Sequence, residues 1–130
     1  MSLFTGLKVI DCGSYIAAPA SAMIQADLGA DVIKIEPPGA GDPYRQLPKL
    51  PGNPVSEHDY AWLLDSRSKR GLALNLSTPE GQQVMYELVA DADVFVTNYP
   101  LRVRDKLRID YETLVALNER LSARPRRLIV

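Results

Sequence analysis

The stretch QADLGADVIKIEPPGAGDPYR, residues 25–45, decides the fold. Its opening residues close a helix at Leu28, and Gly29 stands where a left-handed helix terminus is wanted. Asp31–Glu36 (DVIKIE) reads as a short buried strand. Three prolines and two glycines follow it, a composition that continues neither helix nor sheet. Loops at the carboxyl end of a strand are where open α/β sheets receive their ligands, so the segment poses a question about cargo.

Working outward, Leu7–Cys12 (LKVIDC) forms an earlier apolar strand that stops at Gly13. The helix joining the two strands is expected over Pro19–Leu28, with Pro19 in its first turn and small residues (Ala20, Ser21, Ala22, Ala26) that permit close packing on a sheet. Residues 37–66 hold six prolines and no lasting period, which predicts a long ordered loop with a short helix near Asp59–Leu64. Gly71–Leu76 (GLALNL) resumes strand character. A helix start follows, capped either by Ser77 with Glu80 as a capping box or by Thr78 with Pro79 in the first turn. That helix runs to Ala90 and is expected to bury Val84, Met85, Leu88 and Val89. Val94–Thr97 (VFVT) is a fourth strand closed by Asn98-Tyr99-Pro100; helical pieces at Val103–Leu107 and Tyr111–Asn118, the latter capped by Asp110, lead to a fifth strand at Arg127–Val130. Helical crossovers between apolar strands imply a parallel sheet with right-handed connections, hence an α/β, Rossmann-like architecture.

A chain of 130 residues, 46% of them hydrophobic, has room for one domain and one core. No apolar run approaches the roughly 18–20 residues of a membrane span, and Met1–Lys8 lacks a signal-peptide pattern, so the cytoplasm is the expected location and no membrane partner is expected. With one cysteine, Cys12, and one histidine, His58, neither an internal disulfide nor a metal cluster is expected. The net charge of −1 conceals a basic end: eight Lys or Arg against four acids between Arg102 and Arg127. A solvated helix face accounts for this first and a phosphate site second; aromatic interleaving is missing, which speaks against nucleic acid.

A Rossmann-like sheet suggests a dinucleotide, and Glu36 lies about 23 residues after Gly13, where a ribose-binding acid belongs. The glycine fingerprint is absent, however. Gly13-Ser14-Tyr15-Ile16-Ala17-Ala18-Pro19 supplies one glycine where the motif needs three.

The line GLKVIDCGSYIAAPASAMIQADLGADVIKIEPPGAGDPYR resembles the amino-terminal signature of the class III CoA-transferases, the CaiB-BaiF family, which includes acyl-CoA racemases. SKRGLALNLSTPEG, ELVADADVFVTNYP and LRIDYETLVALNERL resemble successive blocks of that family, in order, and coverage runs from about residue 6 to residue 121. The resemblance implies that residues 1–130 are the amino-terminal part of a CoA-binding Rossmann-like large domain, with a small domain and a carboxyl-terminal return of chain lying elsewhere. It implies an interlocked homodimer in the complete enzyme. The implied chemistry moves CoA from an acyl-CoA donor to a carboxylic acid through anhydride and thioester intermediates on an aspartate. The nearest alternative is a racemase of the same family; from other classes come a non-catalytic CoA-binding or partner subunit and a nucleotide-binding regulatory module.

Carried over by position, the resemblance assigns CoA contacts to Ile16, Ala17, Pro37, Leu74, Asn75, Leu76, Ser77, Asn98, Tyr99, Pro100 and Lys106. All but Lys106 fall at or beyond strand carboxyl ends. Lys106 stands where relatives often carry arginine, and Pro37 and Ser77 replace positions that can be basic, which lowers the charge offered to phosphates. Ser14 and Tyr15 lie in the loop beside the expected thioester. Arg45 and Ser68-Lys69-Arg70 are family-like, with bracing of neighbouring carboxylates favoured over lining the cleft. In relatives the catalytic aspartate lies beyond the NERL block, so no catalytic residue is named here, and the chain alone is expected to be inactive. Residues 122–127 (SARPRR) also depart from the pattern: either SARPR is an insertion and RLIV begins the fifth strand, or the original sequence was lost after Leu121 through a frameshift or an artificial cut.

Overall fold

The structure, a computed structural model, describes residues 2–118 and, as backbone, 128–129. Strands β1 (Lys8–Asp11), β2 (Asp31–Glu36), β3 (Arg70–Ala73), β4 (Val94–Val96) and β5 (Leu128–Ile129) form one sheet in the order β3-β2-β1-β4-β5. Every neighbouring pair is parallel. Chain direction therefore reverses its march across the sheet between β1 and β4, and the crevice at such a switch point is the expected ligand position of an open α/β fold.

Helix α1 (Ala17–Asp27) packs on one face, and α3 (Pro79–Ala90) with α5 (Tyr111–Leu117) on the other. Ala18, Ala22 and Ala26, spaced one turn apart, press α1 against Val9, Val32, Val94 and Val96. Small side chains on this stripe bring the helix backbone close to the sheet, so a larger residue there would overpack. The opposite core gathers Ile10, Cys12, Ile35 and Phe95 from the sheet with Met85, Val89, Ile109 and Leu114. Alternate strand residues thus feed opposite faces, as a two-residue side-chain period requires.

Several boundaries differ from expectation for identifiable reasons. α1 begins two residues before Pro19, because the first four helical amides have no intrahelical acceptor and a proline in that turn sacrifices nothing. β3 ends at Ala73 rather than Leu76: the Asn75 carboxamide accepts from the Ser77 amide at 3.0 Å and its carbonyl from the Thr78 amide at 3.2 Å, turning the chain out of the ladder. Thr78, not Ser77, caps α3, its hydroxyl accepting from the Gly81 amide at 3.2 Å with Pro79 as the first helical residue. Val84 is exposed and Leu88 only half-buried, so the buried face of α3 is the narrower stripe Gly81, Met85, Val89.

The proline-rich segment is built, not loose: a 3-10 stretch at Pro43–Lys49 capped by Asp42, then α2 (Tyr60–Ser66) capped by Asp59. Helix α4 (Leu101–Leu107) starts directly after Pro100, two residues earlier than expected. Gly29 takes the anticipated left-handed conformation (φ +98°) after α1, and Asp110 caps α5. The two readings of residues 122–127 lie outside the described residues.

Candidate functional site

Two acids and two lysines lie at the carboxyl end of the central strands, each side chain at most 2% exposed. Asp11 ends β1, Lys34 belongs to β2, Asp42 follows β2, and Lys69 precedes β3. Lys34 Nζ stands 3.0 Å from Asp42 Oδ2 and 3.7 Å from Asp11 Oδ1, and it donates to the Gly13 carbonyl. Lys69 Nζ donates to Asp11 Oδ2 (2.8 Å), the Pro19 carbonyl (2.7 Å) and the Asp65 carbonyl (2.7 Å), which uses all three ammonium protons. Burial lowers the Lys69 pKa, with Asp11 opposing. Buried charges this well paired add little net stability, but removing one partner is costly.

The cluster holds the loop between β1 and α1. Asp42 Oδ1 accepts from the Tyr15 amide at 3.2 Å and from the Tyr44 amide at 2.9 Å. Asn98, just after β4, clasps Ser14 from both sides: its carbonyl oxygen accepts from the Ser14 amide (2.9 Å), and its NH2 donates to the Ser14 carbonyl (2.8 Å). Tyr15 sits at φ +61°, a conformation that side-chain-bearing residues enter at a cost. Beyond it, Ile16 and Ala17 open α1 on the surface, and no side chain caps the helix.

Glu36, at the end of β2, is forked by Arg45 (Nε to Oε2 2.7 Å, Nη2 to Oε1 2.9 Å) and also accepts from the Asp42 amide at 3.0 Å. Burial pushes this carboxyl up, but the Arg45 and Asp42 hydrogen bonds, with the charges of Arg45 and Lys34, hold it below the ordinary carboxylate value. The Arg45 guanidinium lies 3.5 Å from the centre of the Trp62 ring, an arrangement that suits a cation–π contact. Engaged on both oxygens, Glu36 braces the loop that follows β2. Lys69 and Arg70 act likewise, Arg70 forking Asp31 at 2.9 and 2.7 Å.

Six of the eleven residues expected to contact CoA line one cleft of about 100 Å³: Pro37, Leu74, Asn75, Leu76, Ser77 and Tyr99. Cys12, Ile35, Glu36 and Leu107 complete its wall. Burial raises the pKa of Tyr99, the hydrogen bond from the Ser14 hydroxyl opposing it, so the phenol stays protonated at neutral pH. Burial likewise pushes the Cys12 thiol up to about 12, with Lys34 opposing, and it offers no nucleophile. Ile16, Ala17, Pro100 and Lys106 are exposed outside this cleft, and the Asn98 carboxamide faces Ser14.

Sequence reasoning missed the buried quartet. Its signal was present as a lysine between two isoleucines of one strand and an aspartate at the end of another. It also missed a hollow of about 700 Å³ within residues 45–59, rimmed by Arg45, Lys49, His58 and Asp59. Among the described residues no three His, Cys, Asp or Glu side chains are grouped to hold a metal ion, and no helix is long and apolar enough to cross a membrane.

The profile of CoA-transferase family III matches residues 4–122. This chain belongs to CoA-transferase family III. Among curated relatives of this family III chain, the cinnamoyl-CoA:phenyllactate CoA-transferase of Clostridium sporogenes is 41% identical over 114 residues, covering 87% of this chain and 27% of that enzyme. The succinyl-CoA–L-malate CoA-transferase beta subunit of Chloroflexus aurantiacus is 39% identical over 117 residues, covering 89% and 28% respectively. A crystal structure of a CAIB/BAIF family protein from Brucella suis superposes with a TM-score of 0.79 at 36% identity, over 90% of this chain and 31% of that one. The family III chain thus spans between a quarter and a third of the length of these relatives.

Proposed function

We propose that this chain is the CoA-binding part of a family III CoA-transferase, taking an acyl-CoA and a carboxylic acid as substrates. One observation carries the reading: Pro37, the Leu74–Ser77 turn and Tyr99, from beyond the carboxyl ends of three separate strands, share one cleft. Family membership and the names of the transferase relatives support the reaction class.

CoA presents an adenosine phosphate, a diphosphate and an apolar pantetheine arm. The uncapped amides that open α1, at Ile16 and Ala17, suit an anionic group. Leu74, Leu76 and Pro37 suit the pantetheine or adenine, while Asn75, Ser77 and the backbone around Asn98–Pro100 supply polar contacts. Lys106 adds a point charge toward phosphate. Ser14 and Tyr15 lie beside the expected thioester.

In this reading an aspartate attacks the acyl thioester, expels CoA thiolate and forms a mixed anhydride; the thiolate then attacks the aspartyl carbonyl, releasing the first acid and leaving an enzyme thioester. Asp11, Asp42 and Asp110 here are held in buried ion pairs or a helix cap. The role assigned to this chain is therefore to hold CoA between those steps, within a two-copy enzyme. The Chloroflexus relative named as a beta subunit supports a second reading, a partner subunit docking on a complete homologue.

Calorimetric titration with CoA, dephospho-CoA and NAD tests the proposal. Saturable binding of CoA, weaker binding of dephospho-CoA and none of NAD are expected. NAD binding as tightly as CoA would overturn it.

A further inference from the structure

We propose that Asp42, seated by Lys34, is the positioning residue that sets the backbone of loop 13–17 for CoA; the inference rests on the CoA-binding reading above. Three consecutive residues of that loop are held by side chains from elsewhere. Lys34 takes the Gly13 carbonyl, Asn98 takes both backbone groups of Ser14, and Asp42 takes the Tyr15 amide. Only the last of these contacts acts on the residue with the left-handed backbone. A non-glycine residue keeps such a conformation where its surroundings over-determine it.

The position requires a carboxylate. Oδ1 of Asp42 faces two amide donors, Tyr15 and Tyr44, while Oδ2 makes no hydrogen bond and faces the Lys34 ammonium at 3.0 Å. An asparagine offers one acceptor and one donor. In one orientation its NH2 meets the ammonium; in the other it meets the two amides. Either way Asn cannot satisfy both sides, although it matches Asp in size.

The same residue ties a second loop to the first. The Asp42 amide donates to Glu36, which Arg45 forks in turn. Residues 36–45 and 13–17 therefore move as one braced unit, and Pro37, a cleft residue, lies within it. A shift at Asp42 reaches the helix-opening amides at Ile16 and Ala17 through one residue, Tyr15.

The test combines CoA affinity with amide hydrogen exchange at Tyr15 in the full chain. Asp42→Asn is expected to speed Tyr15 exchange and weaken CoA binding roughly tenfold, as loss of a charge-assisted hydrogen bond implies. Val89→Ala, on the buried face of α3, serves as the comparison: it lowers stability by core truncation and keeps CoA affinity unchanged. In a Tyr15→Gly background, where positive φ carries no Cβ penalty, Asp42→Asn is expected to cost less than about threefold in affinity. The proposal is overturned if Asp42→Asn binds CoA within about twofold of the parent, or if the Tyr15→Gly and Asp42→Asn effects simply multiply. A parent chain that fails to bind CoA at all removes the CoA-binding reading itself, and this inference with it.

Discussion

Replacing Lys69 by methionine removes one ammonium and keeps an unbranched side chain one atom shorter. Three acceptors lose the hydrogen bond from this ammonium: Asp11 Oδ2 and the carbonyls of Pro19 and Asp65, at 2.7–2.8 Å in the parent. The Pro19 carbonyl, inside α1, keeps its intrahelical donor, whereas the Asp65 carbonyl in the last turn of α2 is left without one, at about 1–3 kcal/mol. Asp11 retains only the more distant Lys34, at 3.7 Å, and the Gly13 amide, at 3.1 Å. Relief from desolvating the ammonium offsets part of this, so the expected loss is about 3–5 kcal/mol, the range for breaking one side of a buried pair. For a domain of this size that lowers Tm by on the order of 10–20 °C. Urea unfolding is the assay, read as a fall in midpoint at constant slope. Because the Lys69 pKa is lowered from 10.5 on folding, the unfolded parent binds the extra proton just below that pH, and Lys69 makes stability rise with pH there. The methionine variant should lose that rise. A destabilisation below about 1 kcal/mol, with the pH slope intact, would refute the idea that this ammonium completes a closed polar centre.

Other perturbations probe separate links. Thr78→Ala removes the α3 cap and should cost about 1 kcal/mol in urea unfolding, whereas Ser77→Ala should cost less than half of that. Gly81→Ala drives a Cβ to 2.0 Å from the Asn75 carbonyl oxygen, so it should lower stability and, by displacing the 74–77 turn, weaken CoA binding in titration. Glu36 and Asp110 both titrate below their ordinary values, so the unfolded chain binds more protons in acid. Their contribution is complete above about pH 4.5 and drains away as pH falls through the lowered folded values, measurable as a shrinking urea midpoint. Cys12 should resist thiol reagents in the native protein at pH 8 and react fully in urea, a contrast readable by mass spectrometry.

Much of the fold was legible because its signals are local. DVIKIE, VFV, the Thr78-Pro79 start and Asp110 declare themselves through apolar runs and caps whose partners lie within a few residues. The end of β3 was not legible, since GLALNL has strand composition throughout and the Asn75 turn competes for its last residues. Val84 was assigned to the core by period, but α3 meets the sheet along a narrower line. The candidate cleft was legible as a place, beyond the carboxyl ends of strands. The mutual pairing of Asp11, Lys34, Asp42 and Lys69 was not, since the partners stand up to 58 positions apart in the chain. Their oddity as charges in or beside apolar strands was readable, whereas their geometry emerges only when three strands meet.

The sheet order carries a consequence for how the chain is made. β1 pairs with β2 after one helix, but its other neighbour, β4, begins at Val94, so the match of Val9 to Val94 spans 85 residues. A ribosome adding about 5–20 residues per second leaves that side of β1 open for on the order of ten seconds. During that interval Val9, Ile10 and Asp11 present unsatisfied backbone to whatever is near, and Asp11 awaits the lysine of residue 69. A central strand of the finished sheet thus waits far longer for its second neighbour than for its first, and until then the nascent chain is open to mispairing or chaperone capture at a strand that ends up buried.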